Sequence, residues 1–342
     1  MPVSPTPPPQ PPQPPQPKNL DEFQRIARFF KPLTSAYPLA FNLTDDAAVI
    51  APPPGLDLII TSDALVAGVH FYADDPPFQI AQKSLRVNLS DLAAKGATPL
   101  GYSLCFIAPS SIDDQWLEQF THGLAADQNH FGLSLLGGDS VATAGPLTLA
   151  ITAYGLMPSG RMVRRSGAKP GDDLWVTGTL GDGALGLLAR QGIIQSEALR
   201  DRYLLPQPRL AIAQTLLAYA TAAMDVSDGL IADAGHLARA SGVTLTIDRD
   251  AIPLSREAAR LVAETPAYWQ QILTGGDDYE ILFSTSRQNS VKIAKDAGVK
   301  VTRIGQVGEL IGSGETVAGG LVQLTTAEGS IETPAQGGWL HG

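Results

Sequence analysis

Aspartates recur beside glycine, serine or threonine along this 342-residue chain, and such carboxylates can hold metal ions. Asp45 and Asp46 precede an apolar run, Asp63 follows the run Leu58–Thr61, and Asp139 follows two glycines. Others stand at the ends or starts of further runs: Asp91, Asp225, Asp228, Asp277 and Asp278. A single aspartate at a turn is usually a turn former or a helix cap. The whole set, without histidine or cysteine neighbours, favours hard cations such as Mg²⁺ over Zn²⁺.

The net charge of −10 makes nonspecific attraction to nucleic acid or to an anionic membrane unfavourable. An acidic protein can still bind phosphates if its carboxylates first collect Mg²⁺, which then bridges phosphate oxygens. An acceptor that is itself a phosphate is already ionised at pH 7. Positioning and charge neutralisation would then supply the catalysis, and no residue is nominated as a general base.

Familiar nucleotide motifs are absent from the sequence, including the GxxxxGK phosphate loop and the kinase HRD and DFG triplets. The glycine-rich run Thr177–Gly183 joins a strand-like run to a helix-like run. It predicts either a tight turn or a phosphate site at a helix N-terminus. His70 is placed to touch a ligand, and Arg165 is the member of a basic cluster best suited to clamp phosphates.

Short apolar runs alternate with helical patterns in two series, separated by the basic segment 158–171. This alternation predicts an α/β (α+β) protein with two mixed α/β domains. We expect a first domain over residues 19–157 and a second over 158–342. Helices are predicted at Phe78–Lys95, Asp113–His130, Asp182–Gln191, Pro208–Ala220 and Asp228–Ala240.

The first 18 residues are rich in proline and predict a disordered extension. Folding is expected to start with a helix capped by Asn19, with Glu22 as its reciprocal partner. Cys105 is the only cysteine of the sequence, which excludes a disulfide within the chain. It is expected to be a buried small hydrophobe. Without a recognisable signal peptide, the chain is expected in the cytoplasm.

Read in order, these residues resemble the thiamine-monophosphate kinase family, in the superfamily of aminoimidazole ribonucleotide synthetase and selenophosphate synthetase. The resemblance runs from Asn19 to Trp339. Its blocks are Thr44–Ala48 (TDDAA), Thr61–Val66 (TSDALV), Gly68–Phe71 (GVHF), Val87–Ala97 (VNLSDLAAKGA), Gly137–Ser140 (GGDS), Arg165–Ala168 (RSGA), Asp225–Leu230 (DVSDGL), Gly275–Glu280 (GGDDYE) and Gly338–Trp339.

The resemblance implies ATP-dependent phosphorylation of thiamine monophosphate to thiamine diphosphate by direct in-line transfer. It also implies several Mg²⁺ ions and a homodimer that pairs the N-terminal domains. The implied metal ligands are Asp46, Thr61, Ser62, Asp63, Asp91, Asp139, Asp225 and Asp228, of which Asp63, Asp91 and Asp225 are the most critical. The implied ATP contacts are Gly138, Asp139, Arg165 and Ser227. The implied thiamine monophosphate contacts are His70, Asp277 and Trp339.

The chain departs from the family pattern at several positions, none of which is a proposed metal ligand. Lys95 replaces a methionine, Asp277 is shorter than the common glutamate, and Thr121 stands where an aromatic residue often meets the adenine. Thr44 stands where glycine is usual, and the ending after Trp339 is altered. Two other functions stay open: a related ATP-dependent synthetase with another small acceptor, and a non-catalytic regulator that binds Mg²⁺ and nucleotide.

Overall fold

The computed structural model describes residues 20–310 and 322–331. The proline-rich start, the expected cap at Asn19 and the expected substrate residue Trp339 lie outside the described residues. The first short helix, α1 (Glu22–Arg25), is capped by Asp21, whose side chain accepts a 2.8 Å bond from the Gln24 backbone N–H. Asp21 and Gln24 form a capping box, because the Gln24 side chain in turn accepts from the Asp21 backbone N–H.

The first sheet has four strands in the order β1-β4-β2-β3. The strands are β1 (Leu56–Val66), β2 (Thr98–Pro109), β3 (Ser134–Thr143) and β4 (Thr148–Pro158). Helices α2 (Pro77–Lys95) and α3 (Asp114–Phe131) contribute to the same buried apolar cluster as the core face of this sheet. Both helices end at a left-handed glycine, Gly96 and Gly132, as glycine's freedom at positive φ allows.

The second sheet has seven strands in the order β11-β10-β7-β9-β5-β8-β6. They are β5 (Asp172–Thr177), β6 (Ala220–Val226), β7 (Thr244–Asp248), β8 (Glu280–Ser286), β9 (Val301–Gly308), β10 (Val322–Thr326) and β11 (Gly329–Ile331). Its helices are α4 (Asp182–Arg190), α5 (Glu197–Leu204), α6 (Ala213–Tyr219), α7 (Leu230–Ser241), α8 (Arg256–Glu264), α9 (Trp269–Thr274) and α10 (Ser290–Asp296). Two mixed sheets with flanking helices confirm the predicted fold class.

Two element predictions need correction. The helix expected over Pro208–Ala220 is a 3₁₀ turn, Leu210–Ile212, followed by α6, and Ala220 already belongs to β6. Asp63 and Asp139 do not follow their strands but lie within them, because β1 and β3 extend beyond the apolar runs. Polar residues can continue a strand when one of its faces is not buried.

Cys105 is exposed, and its expected burial is wrong. It lies on β2, where side chains alternate between the core face, with Leu104 and Phe106 buried, and the opposite face. An apolar run in the sequence did not reveal that this face of the four-stranded sheet is uncovered.

Helix α2 packs against both sheets and positions residues of both units. Ala93 and Ala94 belong to an apolar cluster with Phe283 of the second sheet. Arg86 donates a 3.2 Å bond to the Pro206 carbonyl. No helix in residues 20–310 or 322–331 combines the length and apolar character needed to cross a bilayer.

Candidate active site

Thr61, Asp63, Asn88 and Asp91 meet where β1 packs on α2. Thr61 Oγ1 donates a 2.5 Å bond to Asp91 Oδ2, and the backbone N–H of Asp63 donates a 3.1 Å bond to Asn88 Oδ1. Asn88 and Asp91 are three residues apart on the helix, so they share a face. Burial, and then the charge of Asp91, raise the pKa of Asp63 to about 6.

Asp225, at the end of β6, joins this group from the second sheet. Ser90 Oγ donates a 2.7 Å bond to Asp225 Oδ2, and both side chains are buried. Burial, and then the charge of Asp91, raise the pKa of Asp225 to about 7, while the Ser90 bond opposes this shift. We call Asp63, Asp91 and Asp225 the carboxylate cluster. Its members repel one another until a cation or a proton neutralises them.

Two cations border the carboxylate cluster. Lys95 Nζ donates a 2.8 Å bond to the Ala223 carbonyl. Burial, and then the charge of Arg165, lower the pKa of Lys95 to about 8, against the opposing effect of Asp225 and Asp91. Arg165 is exposed, so its guanidinium is accessible to a ligand.

A second group of predicted site residues lines a cavity of about 170 Å³. The cavity lies between β3 and residues 22–48, which we call the N-terminal segment. Asp46, Gly138 and Asp139 all contribute to its wall, together with Phe30 and Leu104. A Cβ built on Gly138 would stand 1.9 Å from the Leu104 carbonyl oxygen. Only glycine therefore lets β3 approach β2 closely at this wall.

The predicted metal ligands do not all face one way. Asp63 of β1 and Leu104 of β2 both pair with Ile151 of β4, so Asp63 lies on the same face of the sheet as Leu104. Asp139 pairs with Cys105, the next residue along β2, and therefore lies on the opposite face. Ser62 also points to the outer face, where its hydroxyl donates a 3.1 Å bond to the Ile151 carbonyl. Among the residues that the structure describes, no three histidine, cysteine or acidic side chains converge tightly enough to hold an ion together.

The donor chemistry nevertheless suits Mg²⁺. Carboxylates and hydroxyls are hard oxygen ligands, and Mg²⁺ commonly takes only one or two protein carboxylates while phosphates and waters complete its shell. The raised pKa values of Asp63 and Asp225 reflect buried negative charge that a divalent cation would compensate.

The segment Gly275–Tyr279 carries the strained backbone of the site. Asp277 has φ 68° and Tyr279 has φ 52°, left-handed values that are costly for residues with a side chain. The Asp277 N–H donates a 2.9 Å bond to the Ser227 carbonyl. A Cβ on Gly276 would stand 2.0 Å from that carbonyl, so glycine is required there. This packing brings Ser227 and Asp277 together.

Asp277 of this segment and His70 are two residues that the sequence predicted to contact the phosphoryl acceptor. Asp277 accepts a 2.9 Å ion-pair bond from buried Lys83, and Tyr203 Oη donates a 3.4 Å bond to the His70 carbonyl. The His70 ring accepts a 3.0 Å bond at Nδ1 from the Val66 N–H, which fixes its orientation.

Asp228 begins the turn into α7, and within residues 20–310 its side chain forms no hydrogen bond with the carboxylate cluster. The backbone N–H groups of Asp228 and Gly229 donate to Asp233 Oδ2 at 3.0 and 3.1 Å. Burial, and then Asp225 and Asp228, raise the pKa of Asp233 well above its usual range. Asp233 was not singled out from the sequence, although it follows Asp228 by five residues.

The glycine-rich run Thr177–Gly183 is a turn in which the Asp278 carboxylate takes two of the amide donors. Asp278 accepts bonds from the Gly181 N–H at 2.7 Å and the Gly183 N–H at 2.9 Å. These two bonds favour the alternative of a tight turn, because the Asp278 carboxylate accepts from amides at the helix start. Thr121 is also buried, and its hydroxyl donates a 3.0 Å bond to the Leu117 carbonyl.

Sequence reasoning missed Ser90, Lys83 and the structural role of Asp278. Ser90 directly precedes Asp91, but its partner Asp225 lies 135 residues away. Lys83 and Asp277 are 194 residues apart. The helical neighbours of Lys83 include the polar residues Gln79 and Arg86, so no local pattern set this lysine apart.

Comparison with known proteins places both halves of the chain in one class. Residues 44–157 match the model of the AIR synthase related protein N-terminal domain, and residues 169–314 match that of the C-terminal domain. The fold and the site therefore define an AIR synthase related protein.

Relatives narrow this class. The chain is 45% identical to the thiamine-monophosphate kinase of Caulobacter vibrioides over 94% of this chain and 91% of that protein. The crystal structure of thiamine-monophosphate kinase from Stenotrophomonas maltophilia superposes with a TM-score of 0.74 at 38% identity, covering 82% of this chain and 89% of that one. AaThiL, complexed with AMPPCP and TMP, superposes with a TM-score of 0.73 at 29% identity, covering 94% and 96%. The chain belongs to the thiamine-monophosphate kinase family.

Proposed function

We propose that this protein transfers the γ-phosphoryl group of ATP to thiamine monophosphate and forms thiamine diphosphate and ADP. The observation that carries the proposal is the carboxylate cluster, which gathers buried Asp225 and half-buried Asp63 and Asp91 from both units at one place. The AaThiL complex supports the two substrates, since AMPPCP is an ATP analogue and AaThiL shares this fold.

Mg²⁺ held by this protein would supply neutralisation of the charge that develops during in-line transfer. Asp63, Asp91 and Asp225 are the residues that would hold it first, with Thr61 bonded to Asp91 from the neighbouring strand. Asp46, Asp139, Asp228 and Ser62 remain proposed ligands for further ions. The terminal phosphate of the acceptor is the nucleophile and is ionised near neutral pH, so the protein positions it without removing a proton.

The nucleotide contacts in this proposal are Gly138, Asp139, Arg165 and Ser227. Support comes from the cavity at Gly138 and Asp139, which opens beside the N-terminal segment. Arg165 is exposed, and its charge is one of the causes that lower the pKa of Lys95. A planar guanidinium suits two phosphate oxygens at once.

The acceptor contacts in this proposal are His70, Asp277 and Trp339. His70 and Asp277 are linked through Tyr203 and Lys83, which supports a common site for one small molecule. Trp339 lies outside the described residues, and its role follows from the family resemblance alone. An indole face suits the flat, cationic thiazolium ring.

A homodimer of the N-terminal domains is part of the proposal. The outer face of the four-stranded sheet carries Ile60, exposed to 60%, and Val141, exposed to 43%. An uncovered apolar sheet face is a typical association surface, and a second copy of this chain is the proposed occupant. The domain limits of 19–157 and 158–342, and a cytoplasmic location that suits one free cysteine, complete the proposal.

The test combines purified protein with ATP, Mg²⁺ and thiamine monophosphate and measures thiamine diphosphate by mass spectrometry. We expect equal amounts of thiamine diphosphate and ADP, and no product after Mg²⁺ is chelated. ATP hydrolysis without thiamine diphosphate would contradict the acceptor and favour a related synthetase. Tight nucleotide binding without any turnover would favour a regulator.

A further inference from the structure

Lys83 is a buried charged residue for which the proposed chemistry has no role yet. It lies in α2, its side chain is 3% exposed, and its Nζ pairs with Asp277 Oδ2 at 2.9 Å. The same Nζ stands 3.7 Å from the centre of the Tyr203 ring. A buried ammonium is costly unless it is paired, and here a carboxylate and an aromatic face compensate it.

Each carboxylate oxygen of Asp277, the partner of Lys83, accepts one hydrogen bond within the protein. Asp277 has a left-handed backbone, and Tyr279 Oη donates a 3.2 Å bond to its Oδ1. Lys83 takes the other oxygen, Oδ2. Each carboxylate oxygen has a second lone pair, and the side chain of Asp277 is 31% exposed. The carboxylate can therefore still accept a bond from a ligand, in a direction fixed by its two neighbours.

Lys83 also connects the two proposed acceptor residues. Its ammonium lies on the ring of Tyr203, and the hydroxyl of Tyr203 donates to the His70 carbonyl. His70 belongs to the first unit and Asp277 to the second. The series His70, Tyr203, Lys83 and Asp277 thus spans the junction between the units, on the side where the acceptor is proposed to bind.

We propose that Lys83 is a positioning residue for the acceptor: it aims the Asp277 carboxylate at the amino group on the acceptor's pyrimidine ring. This inference rests on the proposed function. Lys83 itself is too buried to touch the acceptor and acts through Asp277. An alternative role as a mere link between the two units would affect folding and both substrates alike.

The experiment compares the wild-type protein with K83M, D277N and the double variant, using K292M as a matched control. Lys292 also stands beside a tyrosine ring, 5.9 Å from the centre of Tyr219, but is exposed on α10. We expect K83M to raise the KM for thiamine monophosphate at least about tenfold and leave the KM for ATP within about twofold. The double variant should be no worse than D277N, because both changes remove one interaction.

Thiamine monophosphate binding is measured by calorimetry as well, so the test does not depend on turnover. If the wild type neither binds nor phosphorylates thiamine monophosphate, the proposed function and this inference both fall. If the wild type is active but K83M keeps both KM values, or raises both together with additive losses in the double variant, this inference alone falls. Should K83M not fold, K83Q keeps one donor for Asp277. It should raise the acceptor KM at least about threefold without changing that for ATP, and equal KM changes would overturn the inference.

Discussion

Ser90 Oγ donates a 2.7 Å hydrogen bond to Asp225 Oδ2 across the junction of the two units. Ser90 lies in α2, one residue before Asp91, and Asp225 is the penultimate residue of β6 in the second sheet. The spacing of the carboxylates therefore depends on how the two units are packed, and the serine hydroxyl fixes it locally.

The first prediction concerns this bond. S90A leaves Asp225 buried without its hydroxyl donor, which costs about 1–3 kcal/mol. We expect a lower affinity for Mg²⁺, seen as a several-fold rise in the Mg²⁺ concentration at half-maximal rate. The control is S290A, which removes a 2.9 Å serine bond to Asp173 remote from the site. Equal Mg²⁺ dependence of S90A and wild type would contradict the role of the bond.

The second prediction separates activity from stability. D63N removes a buried charge that Asp91 disfavours, so the midpoint of thermal unfolding without Mg²⁺ should stay the same or rise. Turnover should fall at least about 100-fold, because an amide is a poor substitute for a carboxylate ligand. D57N, at an exposed aspartate on the same strand whose Oδ2 accepts a 2.7 Å bond from the Gly160 N–H, should leave turnover unchanged. A fully active D63N protein would refute the assignment.

The third prediction is a pH dependence set by Asp278. Burial raises its pKa from 3.8 to about 8, against the two glycine N–H bonds. The folded protein holds the Asp278 proton more tightly than the unfolded chain does. The resulting contribution to the free energy of unfolding is complete below about pH 4 and is lost as the pH rises through about 8. The thermal midpoint of the wild type minus that of D278N should therefore fall from pH 5 to pH 8, because only the wild type loses stability as Asp278 ionises. A difference that grows over this range would contradict the sign of the shift.

The fourth prediction tests the proposed dimer. I60E places a charge on the outer face of the four-stranded sheet and should convert the dimer to a monomer in analytical ultracentrifugation. The control is I193E, because Ile193 is exposed to 62% but lies in the second unit. A wild-type protein that sediments as a monomer, or an I60E protein that stays dimeric, would contradict this surface.

Local signals predicted much of the fold. Helix α2 was expected at Phe78–Lys95 and is found at Pro77–Lys95, because Gly96 provides a left-handed end. Strands β1 to β5, β7 and β8 were recognised by their apolar runs, but β6, β9, β10 and β11 were not. The run that predicted β1 was too short, since this strand continues through the polar residues around Asp63. Helices α5, α8, α9 and α10 were not predicted. Helix α5, for example, has a weakly amphipathic sequence that gives little periodic signal.

The candidate site was predicted as a set of residue types, and its geometry was not. The family resemblance implied that Asp63, Asp91 and Asp225 belong together, but it did not reveal the bonds from Thr61 and Ser90 that join them. Nor did it reveal that Asp278 fills the glycine-rich turn, since the two segments are about 95 residues apart. Contacts across such distances depend on tertiary packing, which no local pattern encodes.

The most direct measurement is a crystal structure of the protein with Mg²⁺, AMPPCP and thiamine monophosphate. We expect at least one ion at about 2.1 Å from oxygens of Asp63, Asp91 or Asp225, with phosphate oxygens completing its shell. Bound nucleotide whose phosphates lie away from these carboxylates, with no ion between them, would contradict a phosphoryl transfer built on aspartate-held cations.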